Sequence, residues 1–305
     1  MLVGQLPPAE LKRRLAGDGL AVRTGPVSFR LASDAPGIAE FVTLAYADHP
    51  VLGEQDFCDN PIALRRVGGL RRWLKPQVRV HHDGAPIFEP LPLAHAAPLL
   101  EWALNWCVST HALQFLVIHA ATLERDGHAL ILPAPPGSGK STLCAALLHR
   151  GWRLMSDELT LLSLADGRLH ALARPVSLKN RSIDIIQAFE PGAVFSRRTH
   201  DTAKGTVALM KPPAEHVRRV AETALPAWLV FPRWVAEAPA QLSPRGKPES
   251  LLDLSRQAFN FGASARQGYQ QLLGAIDRCE CFDFSYGQLD DAVRTFDGLS
   301  GRMAP

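Results

Sequence analysis

The sequence predicts an α/β protein: a mixed-sheet core around a phosphate-binding loop over residues 96–305, preceded by a small α+β unit over residues 1–95. Three observations carry this. The stretch 129–142, ALILPAPPGSGKST, is an apolar strand, a Pro/Gly turn and a helix start, in the order a P-loop requires. An acid pair, Asp157-Glu158, returns seventeen residues after Lys140, room for one three-turn helix and an immediate return strand. Ala165-Asp166-Gly167 then separates two apolar stretches, so an antiparallel hairpin follows the loop helix and the sheet is not purely parallel.

The bulk numbers agree with a globular protein. Of 305 residues, 47% are hydrophobic and 21% charged, and the net charge is +3. That charge is too mild to argue for nucleic acid, and no basic-aromatic stripe is present. Five cysteines (Cys58, Cys107, Cys144, Cys279 and Cys281) are an odd number without framework spacing, which points to reduced thiols. The pair Cys279-x-Cys281 is too close for a zinc knuckle and reads as one buried and one exposed thiol. The N-terminus lacks the apolar core of a signal peptide. The longest apolar stretch, 112–123, is too short to span a bilayer. A cytoplasmic protein with no membrane segment is expected.

Taken in order, residues 8–16 read as a short amphipathic helix with Leu11 and Leu15 four apart, ended by Gly17-Asp18-Gly19. Residues 20–31 alternate as a hairpin broken at Gly25-Pro26. Ser33-Asp34 is expected to cap a helix running to Tyr46. After a loop come strands at 62–67 and 78–82, with the basic LRRWLK stretch (70–75) between them and Trp73 expected to anchor in the core. Asp83-Gly84 is a turn and 88–93 a short strand. Residues 96–113 form a long apolar helix with Pro98 in its first turn, where a missing N–H does no harm.

Residues 116–123 read as one strand with His119 at its middle, hairpinned through 124–128 to the strand 129–132 that delivers the loop. The loop APPGSGKS departs from G-x-x-x-x-G-K-[ST] only at Ala134, which costs little if φ is negative there. Backbone groups of Pro136, Gly137, Ser138, Gly139, Lys140, Ser141 and Thr142 are expected to surround phosphate; Lys140 would neutralise its outer oxygens and Ser141 would hold Mg²⁺. The helix 140–149 ends at Gly151, and the strand 152–155 leads to the acids. Paired acids beside a Mg-nucleotide divide labour between a base and a metal or water organiser.

The hairpin 159–172 is followed by an extended segment 173–180 and a helix capped by Ser182. Arg174, Lys179 and Arg181 are candidates for the charge a transferring phosphoryl needs. Residues 191–205, with Arg197, Arg198, His200 and Lys204, read as a mobile basic loop able to close over phosphates. Strands at 206–210 and 228–231 (ended by Pro232), a Pro-rich loop at 237–249, helices at 250–259 and 264–278, a strand at 281–286 and a closing helix at 289–299 read as structural.

The core resembles HPr kinase/phosphorylase in the His119-Ala120 strand, the GSGKS loop, the helix ending in Arg150-Gly151, Arg153-Leu154 and the acid pair, which stands at the same distance from the loop lysine. The chain resembles still more closely the HprK-related kinase A family, in which LPAPPGSGKSTL is typical. Arg174 to Asn180, Asp201 to Thr206 and Ala258-Phe259-Asn260 also look like that branch. The resemblance implies a mixed-sheet P-loop kinase core of the phosphoenolpyruvate-carboxykinase-like fold, with ATP and Mg²⁺. It implies Asp157 as catalytic base, Lys140 and Ser141 on phosphate and metal, Glu158 where a second Asp is usual and so a metal ligand, and His119 near the active site. The C-terminal signature of the HPr kinases is not recognisable, which leaves the reverse dephosphorylation without support. The expected function is γ-phosphoryl transfer from Mg-ATP to a hydroxyl, on Ser/Thr of a small protein or peptide. A small-molecule kinase, or a regulatory module that binds or hydrolyses nucleotide, stands beside it. HPr kinases are hexamers, so a homo-oligomer is an open expectation.

Overall fold

The computed structural model describes residues 1–53, 55–69, 71–263 and 265–301, and it is a mixed α/β structure with several sheets. The first elements are α1 (Pro8–Ala16), β1 (Leu20–Thr24), β2 (Val27–Ser33), α2 (Ile38–Ala45), β3 (Asn60–Arg66), α3 (Arg71–Leu74), β4 (Gln77–His82), β5 (Ala85–Pro86), β6 (Leu91–Pro92) and α4 (Ala96–His111). The sheet runs β1-β2-β3-β4-β5, with β6 also on β4. Helix α2 starts later than Ser33-Asp34 suggested. Ser33 ends β2 and its hydroxyl accepts the Ala35 N–H, while Gly37, at φ +84°, opens the helix. The strand expected at 88–93 shrinks to β6. Trp73 is 82% exposed, not anchored in the core. Leu70, where the basic stretch begins, lies outside the described residues, as do the side chains of Arg71 and Arg72.

Helix α4 buries Leu99, Leu100, Ala103, Leu104, Cys107 and Val108 in one core with this sheet. Leu159, Leu161, Leu172 and Leu209, from the later part of the chain, belong to the same core.

The remaining elements are β7 (Phe115–Ile118), β8 (Ala120–Arg125), β9 (His128–Pro133), α5 (Lys140–Leu148), β10 (Arg153–Ser156), β11 (Thr160–Ser163), β12 (Leu169–His170), β13 (Val176–Lys179), α6 (Arg181–Phe189), β14 (Thr199–Thr202), β15 (Gly205–Met210), α7 (Ala214–Arg218), β16 (Leu225–Trp234), β17 (Gln241–Pro244), α8 (Lys247–Arg256), α9 (Ala265–Arg278), β18 (Glu280–Tyr286) and α10 (Leu289–Ser300). The central sheet is ordered β10-β8-β9-β16-β18-β17. It is mixed: β9, β16 and β18 run parallel, with antiparallel neighbours on both sides. Two smaller sheets, β12-β11-β7 and β13-β15-β14, flank it. Helix α5 is apolar on all sides because it is covered on all sides, by β8, α6, α10 and β13.

Several expected elements change. The apolar run 116–123 is two strands in two sheets, β7 and β8, with His119 at the break and not mid-strand. Strand β16 continues through Pro232, because pairing with β9 ends at Leu229 and only β18 remains alongside; a missing donor is tolerated where one side is free. The loop 191–205 contains β14, and 237–249 contains β17. Helix α6 begins after Asn180, and Ser182 lies within it, its hydroxyl bonded to the Lys179 backbone. Cys279 and Cys281 are both buried. Ser264, expected to open a helix, lies outside the described residues.

Candidate functional site

Strand β9 ends in the loop. Ala134 is buried and keeps a negative φ, so a Cβ at the usual glycine position brings no strain. Gly137 and Gly139 are left-handed, at φ +87° and +88°. At Gly139 a Cβ would stand 2.5 Å from the Tyr286 hydroxyl and 2.9 Å from Trp234 Cβ. These neighbours hold the loop: the Tyr286 hydroxyl donates to the Gly139 carbonyl at 3.0 Å, and the Trp234 N–H donates to the Ser138 carbonyl at 2.8 Å. Both lie in the C-terminal parts of the parallel strands β16 and β18. The loop therefore stands at the carboxyl edge of the parallel strands, where α/β sheets place ligands.

Helix α5 has Gly139 as its N-cap residue, with no side chain to cap it, and the only side-chain acceptor at its start among the described residues is the Ser138 hydroxyl, 3.4 Å from the Lys140 N–H. Its first N–H groups have no intrahelical acceptor and carry the positive end of the helix dipole. Lys140 is buried, and its Nζ has no hydrogen-bond partner among the described residues. A buried, unpartnered ammonium is costly, and an anion at the helix start removes that cost.

Asp157 and Glu158 follow β10. Asp157 is 3% exposed; its Oδ2 accepts the Ser177 N–H at 3.2 Å, while Oδ1 has no hydrogen-bond partner among the described residues. Burial, then the Glu158 charge, raises its pKa above the ordinary carboxylate value; Lys140, Lys179 and the nearby Ser141 hydroxyl oppose the shift only in part. Glu158 behaves oppositely. Burial alone would raise it, but the His119 hydrogen bond and the charges of Lys140 and Lys179 outweigh burial and hold it well below the usual range. His119 Nε2 lies 3.1 Å from Glu158 Oε2, and Lys179 Nζ 3.7 Å from Oε1. The break between β7 and β8 turns His119 toward the acid. Its backbone N–H is held by the Gln257 carbonyl at 2.8 Å, and its ring tilts against Phe259 at 5.9 Å.

Beside the acids lies a small, partly open cleft of about 60 Å³. Asp157, Glu158 and Ser177 line it, as do Glu101, Trp102 and Asn105 of α4. Arg174 and Lys204 also line it. The Arg174 guanidinium donates to Asn105 and lies 3.6 Å from Glu101, yet its Nε and Nη1 have no hydrogen-bond partner among the described residues. Lys204 Nζ sits 5.4 Å over the Trp102 ring. Loss of solvent, then the Lys179 and Lys140 charges, lowers its pKa. Burial raises Glu101 against the pull of Arg174 and Tyr46.

The structure thus gathers Lys140, Ser141, Asp157, Glu158 and His119, with Pro136, Gly137, Ser138, Gly139 and Thr142 in the loop and helix start. Arg174 and Lys204 stand on the cleft wall next to the acids. Arg198, expected in a phosphate lid, is paired with Asp184 on the exterior. Sequence reading passed over Glu101, Trp102, Asn105, Ser177, Trp234 and Tyr286. One signal was there for two of them: Glu101 and Asn105 are four apart in the otherwise apolar stretch 96–108, hence on one face of the helix. The arrangement offers an anion cradle, an ionised carboxylate and a more basic carboxylate that lines a cleft.

Residues 99–177 match the family model described as SynChlorMet cassette protein ScmC. The match spans less than half of the chain and takes in most of α4, the loop, the acid pair and Arg174. No curated protein matches the chain. Among solved structures, the HPr(Ser) kinase/phosphatase from Coxiella burnetii is 11% identical over 61% of this chain and 98% of its own, with a TM-score of 0.24, too low to carry an argument.

Proposed function

We propose that this protein is an ATP-dependent phosphotransferase, with a mixed-sheet P-loop kinase core, that moves the γ-phosphoryl of Mg-ATP to a hydroxyl. The observation that carries the reading is the pairing of two buried, unpartnered groups at one place: the ammonium of Lys140 at the loop and Oδ1 of Asp157 beside the cleft. One is suited to phosphate, the other to a proton. The sequence likeness of the loop and acid spacing to HPr kinase/phosphorylase agrees with it.

On this reading the N–H groups of residues 137–142 and Lys140 hold the phosphates in line with the acceptor. Asp157, whose raised pKa makes it a better base than an exposed carboxylate, takes the hydroxyl proton as the acceptor oxygen bonds to phosphorus and the bond to the ADP oxygen breaks. Mg²⁺, held by Ser141 and Glu158, would supply charge neutralisation on the phosphates. His119 and Lys179 keep Glu158 ionised for that role. Residues 1–95 would form a unit that backs the cleft.

The cleft supports a second reading of the acceptor. Arg174 lines it, and two of its guanidinium nitrogens have no hydrogen-bond partner among the described residues. A small hydroxyl compound with an anionic group fits that lining, beside the Ser/Thr side chain of a small protein or peptide. Incubation with γ-labelled ATP and a cell lysate, split by size, tests both. Label in protein supports the first acceptor and label in the low-mass fraction the second. ADP release that no fraction stimulates would overturn transfer and leave a nucleotide-hydrolysing module.

A further inference from the structure

Away from the loop, three ligand-type side chains meet where the C-terminal half of α4 lies against the end of β4. Cys107 and His111 are four apart and share a face of α4; His82 is the last residue of β4. One ligand atom from each lies within 4.8 Å of the others. Cys107 is buried, His82 half-buried and His111 exposed. The Nε2 of His82 is shut away from solvent and has no hydrogen-bond partner among the described residues. We propose that His82, Cys107 and His111 form a binding site for one Zn²⁺ ion, which fastens α4 to the N-terminal sheet.

The donor set fits this ion: two imidazole nitrogens and one thiolate suit a borderline-soft d¹⁰ cation and are poor for Mg²⁺ or Ca²⁺. A helix that offers ligands at i and i+4 fixes two of them on rigid backbone, and the strand brings the third. The separation is somewhat wide for zinc, whose ligand bonds are about 2.0–2.3 Å. The rings of His82 and His111 are stacked, centroids 4.5 Å apart at 18°. Two stacked imidazoles cannot both hold an ion in their ring planes, so binding turns the rings about χ2, unstacks them and closes the gap. The unpartnered nitrogen of His82 loses no hydrogen bond in this turn. Burial, then the His111 ring, lowers the His82 pKa from its ordinary value. Burial holds the Cys107 thiol protonated, with its pKa pushed up to about 12; ligation releases that proton to solvent, and the ion compensates the thiolate charge. The exposed edge at His111 leaves the fourth position to water. Glu101, Trp102 and Asn105 of the cleft wall lie on the same helix, so an ion here steadies the wall without touching the reacting groups.

Titration of the full chain with Co²⁺ tests the site. The expected result is one equivalent bound, with d–d bands and a thiolate-to-cobalt charge-transfer band that Zn²⁺ abolishes. Trp106 fluorescence should fall in step, because its ring meets those of His82 and His111 edge-on at 5.6 and 5.2 Å. Cys107→Ser, a near-isosteric change, should remove the charge-transfer band, and His111→Gln, at an exposed position, should weaken binding by more than the about 10-fold that an outer-shell change costs. Circular dichroism and melting of each metal-free variant check that it folds. Absence of the band in the unaltered chain, or a band that survives Cys107→Ser in a folded protein, would overturn the assignment.

Discussion

At the residue scale the site is set by groups denied a partner. Lys140 Nζ and Asp157 Oδ1 are buried without hydrogen bonds among the described residues, and folding bears that cost unless a ligand meets them. Asp157→Asn separates the costs from the chemistry. On the proposed function Asp157 is the acceptor base and must be ionised, so acceptor-dependent ADP release should rise with pH through a pKa above the usual carboxylate value. Asn should lower that rate by about 10²–10⁴-fold and flatten the profile, while binding of a fluorescent ATP analogue stays within a few-fold. The stability sign follows from the same shift. A carboxyl raised in the folded state stabilises at low pH, and the benefit is lost as pH rises through the folded value. Asn removes the buried charge and should raise stability at neutral pH by about 1 kcal/mol, read in urea melts. An unchanged rate in Asp157→Asn would remove the residue from the base role. Gly139→Ala tests the loop. Its φ of +88° and the 2.5 Å approach to Tyr286 oppose any side chain. A cost of about 1–3 kcal/mol and loss of nucleotide binding are expected in thermal melts and titration.

At the element scale, what the sequence made legible was what neighbours in the chain decide. The loop and its helix follow from glycine conformations and a local apolar pattern, so GSGKST and its flanking strands fall where the residues place them. His119 shows the limit. The apolar run 116–123 looks like one strand, but β7 pairs with β11 and β8 with β9 and β10, and the break between them aims His119 at Glu158. Partners some forty residues away decided that. Helix α4 is a second case: Glu101 and Asn105 gain meaning only beside Arg174, about seventy residues later. Arg174→Met keeps length and apolar stem but loses the donors. It should raise KM for the acceptor about 10-fold or more while basal ATP hydrolysis and ATP affinity hold. Equal loss of ATP affinity would return Arg174 to the phosphates, the role the sequence suggested.

At the scale of the whole molecule, the N-terminal sheet and the acid-bearing half meet behind the cleft. The Tyr46 hydroxyl donates to Glu101, and the Arg174 guanidinium lies 6.0 Å over Phe29. Gly25 comes so close to the 171–173 segment that a Cβ there would stand 2.0 Å from the Ala171 carbonyl oxygen. Lys211 and Asp48 add an ion pair at 2.7 Å. None of this is written in local sequence, since every contact joins segments more than fifty residues apart. His49 gives the junction a pH dependence. Its Nε2 lies 3.0 Å from the Ala173 carbonyl, next to Arg174, and burial lowers its pKa to about 4 from 6.5. A histidine depressed in the folded state is charged first in the unfolded chain. Its stabilising share is therefore whole above about 6.5 and lost as pH falls toward about 4. The full shift corresponds to about 3 kcal/mol as an upper value. Urea melts of the native chain and His49→Gln at pH values on either side of that window isolate the share from carboxylate titration. Gln keeps a donor for Ala173 and cannot ionise. The gap between the two proteins should narrow or reverse at the acid side, and the native chain should lose acceptor affinity there before Gln does. A gap that does not change with pH would mean that His49 protonation is not what couples the two halves.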